Sequence, residues 1–179
     1  MRTKEGVRKQ LEAIKAAGLS NILALRGDIA EDGLSPENWE YHHATELVKE
    51  IKEFDGDLCI GGACYPECHP DSPNQKEDIR HLKEKVDAGA QFLTTQMFFD
   101  NNVFYNFLYK VREAGITVPV VPGIMPITTL KMLKRSLEMS GSIMPARFKY
   151  MLDKFGDDEA AMRQVGIIYA SEQIGRAHV

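Results

Sequence analysis

Four times along this chain an amphipathic stretch comes to a stop, gives way to a short apolar run, and is released into polar and rigid residues. The apolar runs are Asn21-Ile-Leu-Ala-Leu25, Leu58 to Ala63, Phe92-Leu-Thr-Thr95 and Val118-Pro-Val-Val121. Each is too short for a helix and continuous rather than alternating, the pattern of a strand buried on both faces in a parallel sheet. The stretches between them carry apolar residues at helical spacing. They are Val7, Leu11 and Ile14; then Ala44, Leu47, Val48 and Ile51; then Ile79, Leu82 and Val86; then Val103, Phe104, Phe107, Leu108 and Val111. Gly18, Gly89 and Gly115 supply stops, and Asp100 stands where it can cap the fourth helix. Strands alternating with helices at this period predict βαβ units. Helical residues then run from Thr128 to Met139 and from Pro145 to about Gln173, with a break near Phe155-Gly-Asp157.

Composition narrows the classes. The 179 residues are 44% hydrophobic and 27% charged, enough for one core. A net charge of −4 argues against a nucleic-acid footprint. No apolar run approaches the length of a membrane span, and Met1-Arg-Thr-Lys-Glu lacks the apolar core of a signal peptide. A cytoplasmic protein is the default expectation. Cys59, Cys64 and Cys68 are an odd set without a disulfide framework. Cys59 and Cys64 have opposite parity on one strand, and no C-x₂-C occurs, so no metal site is expected.

The strand exits carry the chemistry. Gly61-Gly-Ala-Cys-Tyr-Pro-Glu-Cys-His-Pro70 is the densest. Two prolines stiffen it, Tyr65 offers a flat face with a polar tip, and His69 offers a donor or acceptor near neutral pH. The others are Arg26-Gly-Asp28, Gln96-Met-Phe-Phe-Asp100 and Pro122-Gly-Ile-Met-Pro126. The polar stretch from Ile29 to about Asn38 is long for a βα connection, and such loops are often functional. A doubly wound dinucleotide-binding sheet should show G-x-G-x-x-G after its first strand, and none is present. A (β/α)₈ barrel places chemistry at the ends of many strands, as here. The fold expected is therefore α/β, a TIM barrel. A whole barrel needs eight strands, and this chain shows four, so it is read as an incomplete one. Ile174-Gly-Arg-Ala-His-Val179 breaks the helical pattern of Ala170-Ser-Glu-Gln173 and is read as a non-native tail on a partial barrel spanning 1–173.

Five motifs occur together in order: Leu25-Arg-Gly-Asp28, Tyr65-Pro-Glu-x-His-Pro70, Leu82-Lys-Glu-Lys-Val-Asp-Ala-Gly89, Thr95-Gln-Met-Phe-Phe-Asp100 and Val121-Pro-Gly-Ile-Met-Pro126. Together they resemble the methylenetetrahydrofolate reductases, flavin-dependent (β/α)₈-barrel enzymes, over essentially Thr3 to Gln173. The resemblance implies FAD as cofactor and methylenetetrahydrofolate and NAD(P)H as small-molecule partners. It implies no nucleic acid, no membrane, and a homo-oligomeric parent. It implies flavin contacts from Arg26, Gly27, Asp28, Ala44, Tyr65 and His69. Asp78, His81 and Lys85 are implied at the ADP part, and Gln96 at the pterin. Asp28 is implied as the tuning carboxylate and a second folate contact. Asp78 and Lys85 are seven apart and share one helix face.

The resemblance also implies absences. The first three barrel strands, with the general-acid Glu on the first, would precede Met1, and the last strand would follow Gln173. Met132 stands near where a second folate-contacting Gln is expected in bacterial relatives. On this reading the chain alone is inactive. Two rivals stand beside it: a flavin-free pterin-binding barrel such as a folate-dependent methyltransferase, and a non-catalytic flavin- or folate-binding subunit.

Overall fold

The computed structural model describes residues 3–27, 39–55 and 57–177. Helix α1 (Lys4–Ala16) opens on Thr3, whose hydroxyl accepts from the Gly6 amide. The chain continues through β1 (Asn21–Ala24), α2 (Ala44–Phe54), β2 (Cys59–Cys64), α3 (Gln75–Asp87), β3 (Phe92–Thr95), α4 (Asn101–Glu113) and β4 (Val120–Val121). Three helices close it: α5 (Leu130–Ser140), α6 (Ala146–Phe155) and α7 (Glu159–Ala177). Asp100 does cap α4, its carboxylate accepting from the Asn102 amide at 2.8 Å.

Two expectations need correction. Strand β4 begins at Val120 rather than Val118. Pro119 has no N–H to give a ladder, although its carbonyl still accepts from the Leu93 amide at 2.8 Å. The helical pattern does not break at Ile174, because α7 runs on to Ala177. One glycine, Gly175, costs a helix about 1 kcal/mol relative to Ala and does not end it. Among the described residues no helix is long and apolar enough to cross a membrane.

The four strands are all parallel and their order is β1-β2-β3-β4. A doubly wound sheet reverses its strand order at a switch point. These strands do not reverse. Right-handed crossovers taken repeatedly in one direction put every helix on the same side. The packing agrees. The register places Ala24, Gly62, Leu93 and Val120 in one row. That row faces the helices. Ala24 and Ile60 pack with Val7, Leu11, Val48 and Ile51 of α1 and α2. Cys64 and Leu93 pack with Ile79, Leu82, Phe107 and Val111 of α3 and α4.

Residues of the opposite parity form the other face. There Leu23, Leu25 and Val121 are 46%, 50% and 48% exposed. Phe92 lies flat across Gly61, so close that a Cβ at Gly61 would sit 2.3 Å from the ring. A third cluster caps the β3 end of the sheet. Met97, Phe99 and Ile127 pack with Leu133, Phe148, Leu152, Met162 and Tyr169 from α5, α6 and α7. Tyr169 donates its hydroxyl to the Phe99 carbonyl at 2.7 Å, and Gln173 donates to the Phe98 carbonyl at 2.9 Å. These bonds pin α7 to the segment that leaves β3.

Candidate functional site

The C-terminal ends of the four strands lie side by side because the sheet is parallel and in register. Cys64 pairs with Thr95, so the residues that follow, Tyr65 and Gln96, continue the row on the uncovered side. The Gln96 amide N–H donates to the Cys64 carbonyl at 2.7 Å, which holds the two exits together. On the far side, Thr95 accepts from the Gly123 amide through its hydroxyl at 2.8 Å. A Cβ at Gly123 would lie 2.3 Å from the Thr95 carbonyl oxygen, so the Pro122–Pro126 exit can approach β3 only because residue 123 is glycine. Tyr65, Pro66, Glu67, Cys68, Gln96 and Met97 line one cleft, closed on its remaining side by Ser140 and Ser142.

The β2 exit is tied down by its own side chains. Tyr65 and His69 meet edge to face, with ring centroids 4.4 Å apart. The Asp71 amide donates to His69 Nδ1 at 3.0 Å, so that nitrogen is unprotonated and the ring carries its hydrogen on Nε2. Burial is the largest influence on this imidazole and lowers its pKa from the ordinary value. Asp71 and Asp78 pull the other way, and Arg26 and Lys85 reinforce the lowering. His69 is therefore a neutral donor at physiological pH.

Asp78 serves this loop too. Its carboxylate accepts from the His69 amide at 3.1 Å and from the Ser72 hydroxyl at 3.3 Å. Lys85, two turns along α3, sends its stem over Gly62, where a Cβ would stand 2.9 Å from Lys85 Cδ. Its ammonium donates to the Ala63 carbonyl at 2.7 Å. Desolvation lowers its pKa, opposed by Cys64 and Asp78. Lys85 is a largely buried cation one residue below the β2 exit.

At the β1 exit, the Arg26 guanidinium reaches across to Asp71 at 3.2 Å, and Gly27 turns the chain at φ 82°, a left-handed conformation that glycine adopts without strain. Asp28 lies outside the described residues. Ala44 is the first residue of α2 and half-buried. His81 is exposed, its Nε2 2.7 Å from the Arg80 guanidinium, and it does not join Asp78 and Lys85 at the loop. Gln96 turns its side-chain oxygen to its own neighbour, accepting from the Met97 amide at 2.9 Å. The structure therefore gathers Arg26, Tyr65, His69, Asp78, Lys85 and Gln96 around neighbouring strand ends.

Sequence reasoning missed three participants. Asp71 links the β1 and β2 exits through Arg26. Ser142 reaches the cleft from the loop after α5, donating its hydroxyl to the Met97 carbonyl at 2.9 Å. Glu67 accepts from the Ile143 amide with both oxygens, at 3.0 and 2.8 Å. Partners as far apart as Glu67 and Ile143 leave no periodic trace. Glu67, inside the Tyr65-Pro-Glu-x-His-Pro70 motif, and Asp71, two residues past His69, both stood in a loaded exit, but their partners left no local signal.

The model of the family described as methylenetetrahydrofolate reductase matches residues 1–178. This chain belongs to the methylenetetrahydrofolate reductase family. Methylenetetrahydrofolate reductase 2 of Saccharomyces cerevisiae is 44% identical over 164 residues, covering 87% of this chain and 27% of its own. The 5,10-methylenetetrahydrofolate reductase of Escherichia coli K12 is 36% identical over 157 residues, covering 88% of this chain and 51% of its own. The chain thus spans about half or less of the length of these reductases. A Clostridium thermocellum protein, solved with two copies of 5-methyl-5,6,7,8-tetrahydrofolic acid, overlaps 97% of this chain and 78% of its own. That overlap has a TM-score of 0.47 and 14% identity.

Proposed function

We propose that this chain is the flavin- and folate-binding sector of a methylenetetrahydrofolate reductase. The polypeptide carrying it would reduce 5,10-methylenetetrahydrofolate to 5-methyltetrahydrofolate with NAD(P)H. The observation that carries this reading is the adjacency of Tyr65 and Gln96 on one row, with Arg26 and His69 on the exits beside them and Lys85 of α3 against the end of β2.

The donor set fits a flavin bearing phosphates. Arg26 and Lys85 are cations, neutral His69 offers an Nε2 hydrogen, and Tyr65 offers an aromatic face. On this reading Arg26, Gly27, Ala44, Tyr65 and His69, with Asp28 expected beside them, would hold the ring and ribityl side of FAD, and Asp78 and Lys85 the ADP side, while His81, turned to solvent, is left unassigned. The bound flavin supplies hydride transfer between nicotinamide and folate. The chain's own residues bind and orient. Gln96 presents an amide, which can both donate to and accept from a heterocycle edge. From the family resemblance alone, Asp28 would supply a carboxylate near the ring, where negative charge disfavours an anionic reduced flavin. Asp78 fixes the loop that carries His69, and Lys85 holds the end of β2 from which Tyr65 leaves. Glu67 is engaged by Ile143 and is not read as the general acid, which is assigned to a Glu outside this chain.

The uncovered sheet face supports a partial barrel. Parallel sheets are buried on both sides, and here Leu23, Leu25 and Val121 meet solvent while β1 and β4 are the sheet's edges. Residues 1–179 expressed alone are therefore expected to associate and to lack reductase activity.

The test is titration of the whole polypeptide with FAD and then with folate. Lys85→Met is expected to weaken flavin binding, read from the flavin absorbance spectrum. Gln96→Leu is expected to weaken folate binding by about tenfold to a hundredfold, as loss of a buried polar partner does, at unchanged flavin content. Folate binding without any flavin uptake would favour a pterin-binding methyltransferase instead.

A further inference from the structure

We propose that Glu67 is a positioning residue for the folate half of the reaction, latching the loop between α5 and α6 as a wall of the cleft that contains Gln96. This rests on the reading of Gln96 as the pterin-binding amide. The loop begins at Gly141, the left-handed cap of α5 at φ 64°, and ends at Pro145 before α6. It meets the strand exits through two polar anchors. Ser142 donates its hydroxyl to the Met97 carbonyl at 2.9 Å. The Ile143 amide donates to both oxygens of Glu67, at 3.0 and 2.8 Å.

The chemistry of the second anchor is unusual. The Ile143 side chain is 71% exposed, so its backbone is what places that residue. Glu67 is half-buried, and among the described residues its carboxylate makes no salt bridge. Burial raises its pKa, Asp100 adds to that rise, and the Ile143 N–H opposes it. A carboxylate so placed is unfavourable unless its hydrogen bond is kept. Pro66, fully buried just before it, restricts the backbone that aims it. Glu67, Gln96, Met97 and Ser142 line the same cleft, so releasing the latch removes a wall next to the pterin amide without touching the Arg26, His69 and Lys85 side.

The test is Glu67→Ala in the whole polypeptide loaded with flavin, read by amide hydrogen exchange and by steady-state kinetics. Exchange at Ile143 is expected to speed up by about tenfold or more, the effect of losing a hydrogen bond to a charged group. KM for methylenetetrahydrofolate is expected to rise by about tenfold, with kcat and flavin content within about twofold of the parent. Glu67→Gln keeps one acceptor oxygen and is expected to recover most of both losses. Ser142→Ala removes the other anchor, is expected to raise the same KM by a smaller factor, and serves if Glu67→Ala does not fold. Unchanged exchange at Ile143 in Glu67→Ala overturns the latch. Faster exchange with unchanged KM overturns the positioning role. Unchanged folate affinity in Gln96→Leu overturns the underlying reading of the cleft, and the role of Glu67 with it.

Discussion

The two faces of the sheet are made of similar residues and live in different surroundings. On the helix side Ile60 and Leu93 are 0% exposed, closed in by α1 to α4. On the other side Leu23 and Leu25, neighbours of the buried Ala24, stand about half in water. Strand alternation alone separates them. The helix side is a finished core whose residues decide whether the chain folds. The open side is a row of half-exposed apolar groups and strand ends, and the candidate site sits at its rim. Stability and function are thus divided between the faces of one four-stranded sheet.

The division predicts unequal costs. Phe107 is fully buried in the α3–α4 cluster. Phe107→Ala is expected to destabilise by about 3–5 kcal/mol in urea unfolding, the range for emptying a buried aromatic site. Leu23→Ala is expected to change the stability of residues 1–179 by less than about 0.5 kcal/mol, as exposed positions do. In a longer polypeptide that covers this face, as the proposed partial barrel requires, Leu23→Ala is expected to cost several-fold more. Equal effects in the two settings would show that the open face stays open. The second-largest effect is expected at Gly166 in α7. A Cβ there would stand 1.9 Å from the Ile127 carbonyl oxygen, a backbone atom that cannot swing aside. Gly166→Ala is expected to cost about 1–3 kcal/mol, the range for overpacking, with thermal unfolding as the measure.

Much of the fold was legible because it is periodic. Val7 and Leu11, Val48 and Ile51, and Ile79 and Leu82 are buried where their helical spacing puts them. The strand runs were found from their continuity, and Pro119 shortened the last for a reason visible in its side chain. The site was legible only in part. Tyr65, His69 and Gln96 stand at strand ends, where a parallel sheet gathers what its exits carry. Asp78 and Lys85 were expected on one helix face, and both are turned to the β2 exit and its loop. His81, expected with them from the family resemblance, is turned to solvent, since a 60° difference from Asp78 around a helix separates a buried flank from an exposed one. Ser142 and Glu67 answer to tertiary contacts across tens of residues, which no local pattern encodes.

Smaller effects test the rim. Tyr169→Phe removes the buried donor to the Phe99 carbonyl. It is expected to cost about 1–2 kcal/mol, since a buried acceptor loses its partner while the ring packing survives. A loss no greater than that of an exposed substitution would show that the Tyr169 hydroxyl does not hold α7, leaving its packing with Phe148 and the Gln173 bond to do so.

The finest distinction is the pH response of His69. Its pKa in the folded chain is lowered from 6.5, first by burial. The folded state therefore binds this proton less readily than the unfolded chain. The stabilising contribution is fully present above pH 6.5 and is lost as pH falls through the depressed value. Glu67, raised by burial, has the opposite slope: its contribution is present below its ordinary 4.5 and lost as pH rises through its folded value. The two are separated by subtraction. The stability of the parent minus that of His69→Asn is expected to climb with pH in the window below 6.5 and level off above it, while the Glu67 slope cancels. A difference that is flat, or that falls with pH, would mean that the carboxylates of Asp71 and Asp78 outweigh burial at this ring. The ring would then carry charge near neutrality, and Nδ1 could no longer accept the Asp71 amide that ties down the β2 exit.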